Sequence, residues 1–220
     1  FTKILISDTI IIQDRIFIYR RCFMNQLIVF LLGIPAIMIA TTIHEFTRAA
    51  VSSSLGDKLP REQGRLTINP LKHFEPIGMI LMLACGFGWG LPVNTSALYY
   101  KDRKKGVLIT AVAPTIANLI FAFVFAFAGW FTSNIYFLSI LFVKTAYYCC
   151  CLVIYNLIPV APMDCLKVLS SVLPANSYYK LIQYEKVIQM GFLFLLFLGL
   201  GNFFGRIIDM LYMAITSIFF

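Results

Sequence analysis

Four stretches of this chain are long and almost wholly apolar: Leu27–Val51, Gly106–Phe131, Ile135–Ile158 and Val187–Phe204. A run of about 20 apolar residues matches the hydrocarbon thickness of a bilayer, and only helices and closed barrels satisfy their backbone there. The pattern predicts four membrane-spanning helices. Ile207–Phe220 is shorter, and its length fits a span, a helix lying flat or a truncated segment. Ile77–Leu91 is also short, and Gly78, Gly86, Gly88 and Gly90 mark it as re-entrant or broken. Such backbone is tolerated at membrane depth only where protein or water covers it. The expected fold is all-α, a polytopic transmembrane helix bundle with one short re-entrant or irregular segment, formed by residues 24–220 as a single domain. Residues 1–23 alternate apolar and charged positions without a cleavage-site pattern, and are set apart as an N-terminal extension. A native interfacial helix and an upstream extension both fit them.

With 60% hydrophobic content in 220 residues and a mean hydropathy of +0.84, an ordinary soluble domain is excluded. The net charge of +8 would suit a nucleic-acid partner, but the basic residues lie in loops between apolar runs, where they set topology. The expected partner is the lipid bilayer and not nucleic acid. Ser52–Glu75 carries Lys58, Arg61, Arg65 and Lys72 against Asp57, Glu62 and Glu75. Thr95–Lys105 carries Lys101, Arg103, Lys104 and Lys105 against Asp102, whereas the turn Thr132–Asn134 has no charge. If Ile77–Leu91 dips in and returns, both basic loops are cytoplasmic, and Pro159–Lys186 joins them. The expectation is a multi-pass integral protein of the cell (inner) membrane. Arg15, Arg20 and Arg21 run against this arrangement if residues 1–23 are native. The six cysteines include the consecutive Cys149, Cys150 and Cys151, whose side chains point about 100° apart on a helix. They read as buried small hydrophobes and not as a metal site.

The chemistry is concentrated in His44-Glu45-Phe46-Thr47-Arg48, inside the first span. This is H-E-x-x-R, one residue from H-E-x-x-H, in which two imidazoles on one helix face grip zinc and the Glu takes a proton from the bound water. A guanidinium at the second position keeps its proton and cannot be a ligand. A lone intramembrane His is often only an interhelical hydrogen bond, but an adjacent Glu is hard to explain as packing. The topology also places His44 and Asp164 at similar depth, although they are far apart in sequence.

Several blocks in order resemble the site-2 protease family of intramembrane zinc metalloproteases, over roughly Leu27 to Leu173. His44–Ala49 is similar to the family's HEFAHA. Gly64-Arg65-Leu66-Thr67-Ile68-Asn69-Pro70-Leu71, His73 and Pro76-Ile77-Gly78 match GRLTLNPLxHxDPIG. Gly88-Trp89-Gly90 with Pro92-Val93-Asn94 resembles a glycine-rich segment and P-V-N motif, and Ala117-Asn118-Leu119 the end of AGPxANL. Asn156-Leu157-Ile158-Pro159-Val160-Ala161-Pro162-Met163-Asp164 is similar to NLLPIPPLDGG.

The resemblance implies that His44 and Asp164 are zinc ligands and that Glu45 is the general base. Asn118 and the Pro92–Asn94 region, with Asn94, would position the substrate, an unwound transmembrane segment of a membrane protein. Arg48 stands at the second ligand position, so that role does not carry over. Pro114-Thr115 stands where the family has Gly-Pro, and Cys165-Leu166 where it has Gly-Gly. The departures fall at the catalytic blocks, while Gly64–Leu71 is well kept. The expected function is a site-2 protease-like homologue with an impaired or lost zinc site, in which Arg48 pairs with Asp164 or Glu45. The alternative is an active endopeptidase with a substitute ligand, His73 or Cys165. Transmembrane segments are its substrates or clients in either case. A transporter gains little, since no internal repeat is visible.

Single cysteines at Ser53 and Ser96 are expected to show equal accessibility to an impermeant thiol reagent in intact cells. Opposite labelling would make Ile77–Leu91 a true span.

Overall fold

The structure is a computed structural model describing residues 2–219, with side chains described for 25–174 and 176–219. The sequence-defined extension 1–23, with its arginines, lies outside the described residues except for its helical backbone. Among the described residues the fold is all-helical: α1 (Thr2–Ser54), α2 (Leu59–Glu62), α3 (Pro76–Cys85), α4 (Arg103–Phe131), α5 (Tyr136–Asn156), α6 (Asp164–Val172), α7 (Ala175–Gln183), α8 (Glu185–Leu195) and α9 (Gly201–Thr216). Among them, four stretches are long and apolar enough to cross a membrane: Asn25–Ser54, Arg103–Phe131, Tyr136–Asn156 and Glu185–Thr216. The protein is a helical membrane bundle.

Its centre is formed by α1, α4 and α5, which meet through small residues. Ala36, Ala40, Ala122, Ala126 and Ala146 are all fully buried. In lipid, close packing of this kind replaces the hydrophobic drive between helices. Cys149, Cys150 and Cys151 are buried and free, filling core space as small side chains.

The glycine-bearing segment turns back on itself. α3 ends at Gly86, whose φ of 73° is a left-handed cap, favoured by glycine because no Cβ clashes there. The chain then runs extended alongside α3, so close that a Cβ on Gly78 would collide with the Trp89 carbonyl, and one on Gly88 with that of Gly78. The returning strand is anchored by Leu91 N–H to the His73 carbonyl (2.9 Å) and by Arg65 Nη2 to the Leu91 carbonyl. Further along, Ser96 N–H reaches Asp57 Oδ2 (2.7 Å), which also accepts from Ser52 Oγ (2.8 Å). The two basic loops therefore meet at one end of α1.

The C-terminal helices correct the sequence boundaries. The bend falls at Gly199 (φ 124°), inside the run Val187–Phe204, and not between Phe204 and Ile207. The rings of Phe192 and Phe204 lie 6.0 Å apart, whereas twelve residues of straight helix would separate their backbones by about 18 Å. Beyond the bend, α9 runs antiparallel to α5, with Phe204 against Tyr155 at 5.7 Å and Tyr212 against Tyr147 at 5.5 Å. Phe219 then meets Phe127 of α4 at 5.7 Å. The helix that crosses beside α5 thus includes Ile207 onward.

Gly88→Ala is expected to lower the melting temperature in detergent, since overpacking typically costs about 1–3 kcal/mol. Gly191→Ala is the control, because a Cβ there meets nothing within 4 Å. Equal melting temperatures would count against the tight return of the strand along α3.

Candidate functional site

His44, Glu45 and Arg48 lie on one face of α1, because residues three and four apart share a helix face. The facing wall is the start of α6, where Asp164 is the first helical residue. Its backbone N–H has no partner inside the helix and donates to Asn156 Oδ1 at 3.1 Å. Asn156 in turn donates Nδ2–H to the Leu152 carbonyl at 2.8 Å, which fixes it to the end of α5. α4 contributes Asn118, fully buried.

Arg48 is 2% exposed, and its Nη2 donates to Asp164 Oδ1 at 2.5 Å. The other carboxylate oxygen, Oδ2, lies 3.0 Å from His44 Nε2. Asn118 Nδ2 lies 3.0 Å from His44 Nδ1. Arg48 Nη2 is also 2.9 Å from His44 Nε2, so the imidazole is enclosed between the guanidinium, the carboxylate and the amide.

Glu45 is also committed. Its Oε2 accepts the Val93 N–H at 2.8 Å, and its Oε1 lies 3.8 Å from Arg48 Nη2. Lys167, one turn after Asp164, brings its Nζ to 3.5 Å from Asp164 Oδ1. Burial pushes the Asp164 carboxyl up, but Arg48, His44 and Lys167 together hold it below the usual carboxylate range. It is therefore ionised throughout the physiological pH range. Burial, with the Arg48 charge beside it, moves the Lys167 ammonium down.

Zinc does not fit this donor set. His44 and Asp164 are two donors where a catalytic site has three, and the Arg48 guanidinium touches both of them. Among the described residues no three His, Cys, Asp or Glu side chains converge in a group that could hold a metal. His73 is buried elsewhere, with its Nε2 2.8 Å from the Thr67 carbonyl, and Cys165 is half-buried without joining the group. Neither supplies the substitute ligand.

Of the positions singled out from the sequence, His44, Glu45, Arg48, Asp164 and Asn118 come together. Asn94 does not: it is exposed, next to the Val93 that Glu45 holds. The sequence assigns no role to Asn156 or Lys167, and Val93, in the Pro92–Asn94 region expected to position the substrate, has its N–H bonded to Glu45. Asn156 opens the block that ends in Asp164, and Lys167 lies three residues beyond it, so their spacing was the available signal.

Removing one member of a buried pair leaves the other uncompensated, typically at a cost of about 3–5 kcal/mol. Arg48→Ala should therefore lower the melting temperature in detergent well below that of Lys104→Ala, an exposed control in the first turn of α4. Equal melting temperatures would refute the buried pair.

The chain is similar to a protein of Bacillus subtilis (strain 168) named "Putative zinc metalloprotease YwhC". The two are 30% identical over 204 residues, covering 87% of this chain and 89% of that protein. No protein-family model matches the chain. No solved structure matches it significantly. Identity at this level along nearly the whole length of both chains shows common descent, and the chain belongs to a zinc metalloprotease family.

Proposed function

We propose that this chain is a site-2 type intramembrane metalloprotease homologue whose zinc site is occupied by an internal ion pair, and that it binds transmembrane segments without cutting them. One observation carries the reading. Arg48 Nη2 lies 2.9 Å from His44 Nε2 and 2.5 Å from Asp164 Oδ1, and so touches both residues that would hold a zinc ion. A divalent cation beside a guanidinium is opposed by Coulomb repulsion of several kcal/mol even at an effective dielectric near 20.

Zinc, where a family member binds it, supplies a Lewis acid and an activated water. Here the chain's own residues do something else. Arg48 neutralises Asp164, and Glu45 restrains the extended segment through Val93 N–H. Beyond that bond, Asn94 is exposed on the same extended stretch. An extended backbone with open polar groups can pair with another extended strand, which suits an unwound transmembrane client. The multi-pass arrangement in the cell membrane, with loops 52–75 and 95–105 cytoplasmic, belongs to the same proposal. For an active endopeptidase with a substitute ligand, His73 is bonded to the Thr67 carbonyl instead, and among the described residues Cys165 forms no metal-binding group with His44 and Asp164.

Metal content of the purified protein tests this. The native chain should hold far less than one zinc per molecule. Arg48→His should approach one, because it removes the cation and rebuilds the imidazole pair at i and i+4. The Asn118 Oδ1, without a partner among the described residues, would then be available to accept a hydrogen bond from His44 Nδ1. Arg48→His/Asp164→Ala should lose the metal again. Stoichiometric zinc in the native chain, lost on His44→Ala, would overturn the proposal.

A further inference from the structure

A second polar cluster sits at the other end of the bundle. Lys144 lies inside the candidate span of α5, in a stretch that is otherwise apolar on both sides. An ionisable residue there is expensive and marks a site by default. Among the described residues, it has no carboxylate within 4.0 Å and rests with its Nζ 5.9 Å from the centre of the Tyr147 ring. One turn later, Tyr148 is 7% exposed, and among the described residues its hydroxyl makes no hydrogen bond. Both side chains line a cavity of about 380 Å³, completed by Asn25 and Gln26 above and by Val29, Phe30 and Leu83 as apolar walls.

The depth of this cavity follows from the packing. The Tyr148 hydroxyl lies against Gly33 of α1, where a Cβ would stand 3.2 Å from it. Towards the other end, Asn156 of α5 holds Asp164, which in turn holds His44 of α1. The two helices therefore run parallel, and Lys144 lies on the side of Tyr148 away from the His44 cluster. Asn25 and Gln26 precede the apolar run Leu27–Val51 and mark where it meets water. Gln26 is about 27 Å from His44 along the helix axis, close to the hydrocarbon thickness. A lysine one to two turns below that boundary snorkels to it.

We infer that this cavity binds the phosphate of a phospholipid, in the leaflet opposite the basic loops. The Lys144 ammonium and the Tyr148 hydroxyl would hold the phosphate oxygens, the Asn25 and Gln26 amides would lie beside the headgroup, and Val29, Phe30 and Leu83 would receive the first acyl carbons. Charge complementarity decides the ligand: among the described residues the cluster offers one cation and neutral polar groups, and a phosphodiester carries one negative charge.

Native mass spectrometry of the full chain in detergent, titrated with phosphatidylglycerol, tests this. The native protein should retain one lipid. Lys144→Gln and Tyr148→Phe should each reduce its occupancy about tenfold, while Lys144→Arg and the distant Lys101→Gln keep it. Diacylglycerol without the phosphate, and inorganic phosphate alone, should not bind. Unchanged phosphatidylglycerol binding in Lys144→Gln would overturn the site. So would equal binding of diacylglycerol. Binding of inorganic phosphate alone, lost in Lys144→Gln, would reassign the site to a soluble ligand and overturn the lipid.

Discussion

A guanidinium enclosed among apolar helices must find an anion, and the Arg48–Asp164 pair is the contact on which the rest of the site depends. Because Asp164 begins α6, the pair fixes where α6 starts relative to α1. Asn156 holds the Asp164 backbone from the end of α5, and Asn118 orients His44 from α4. Four helices are thereby registered through one carboxylate and its neighbours. The pair's net contribution to stability is small, because desolvation offsets much of the attraction. Its structural effect is large, since any displacement of one element strands a buried charge.

The glycine-bearing segment follows the same logic with main-chain groups. An extended strand packed into a helical membrane protein must find partners for its N–H and C=O groups. Leu91 is bonded on both its N–H and its carbonyl, Val93 N–H is taken by Glu45, and Ser96 N–H by Asp57. Gly78 and Gly88 let the strand approach α3 until only hydrogens separate them. The well-kept block Gly64–Leu71 supplies Arg65 and the Thr67 carbonyl that secures His73. This block supports the strand, and the strand is needed whether or not a metal is bound.

Much of this was legible beforehand, for identifiable reasons. Apolar runs reveal spans because lipid filters composition directly, so Leu27–Val51 and Gly106–Phe131 fell within a few residues of the observed helices. The meeting of His44 with Asp164 followed from loop charges that set both at one depth. Gly199 was not legible, because a glycine within an apolar run does not disclose the sign of its φ. The bonding of Glu45 to Val93 N–H was hidden too, since main-chain partners carry no side-chain signature. The tautomer of His44 depends on which way the Asn118 amide faces, a property of the packed site and not of the pattern.

The identity of residue 48 can be argued from the groups around it. A small apolar side chain there would leave Asp164 buried beside His44, with Lys167 at 3.5 Å as its remaining Lys or Arg partner among the described residues. An uncompensated buried carboxylate is far more expensive than a lost hydrogen bond. Arginine supplies the compensating charge through one nitrogen, Nη2, which bonds Asp164 Oδ1 and lies 3.8 Å from Glu45 Oε1. One residue thus compensates two buried carboxylates. Its Nε and Nη1 are buried and, among the described residues, without partners. Compensation of Asp164 and Glu45 therefore leaves two unpaired donors on the arginine, a desolvation cost that an uncompensated buried carboxylate would exceed.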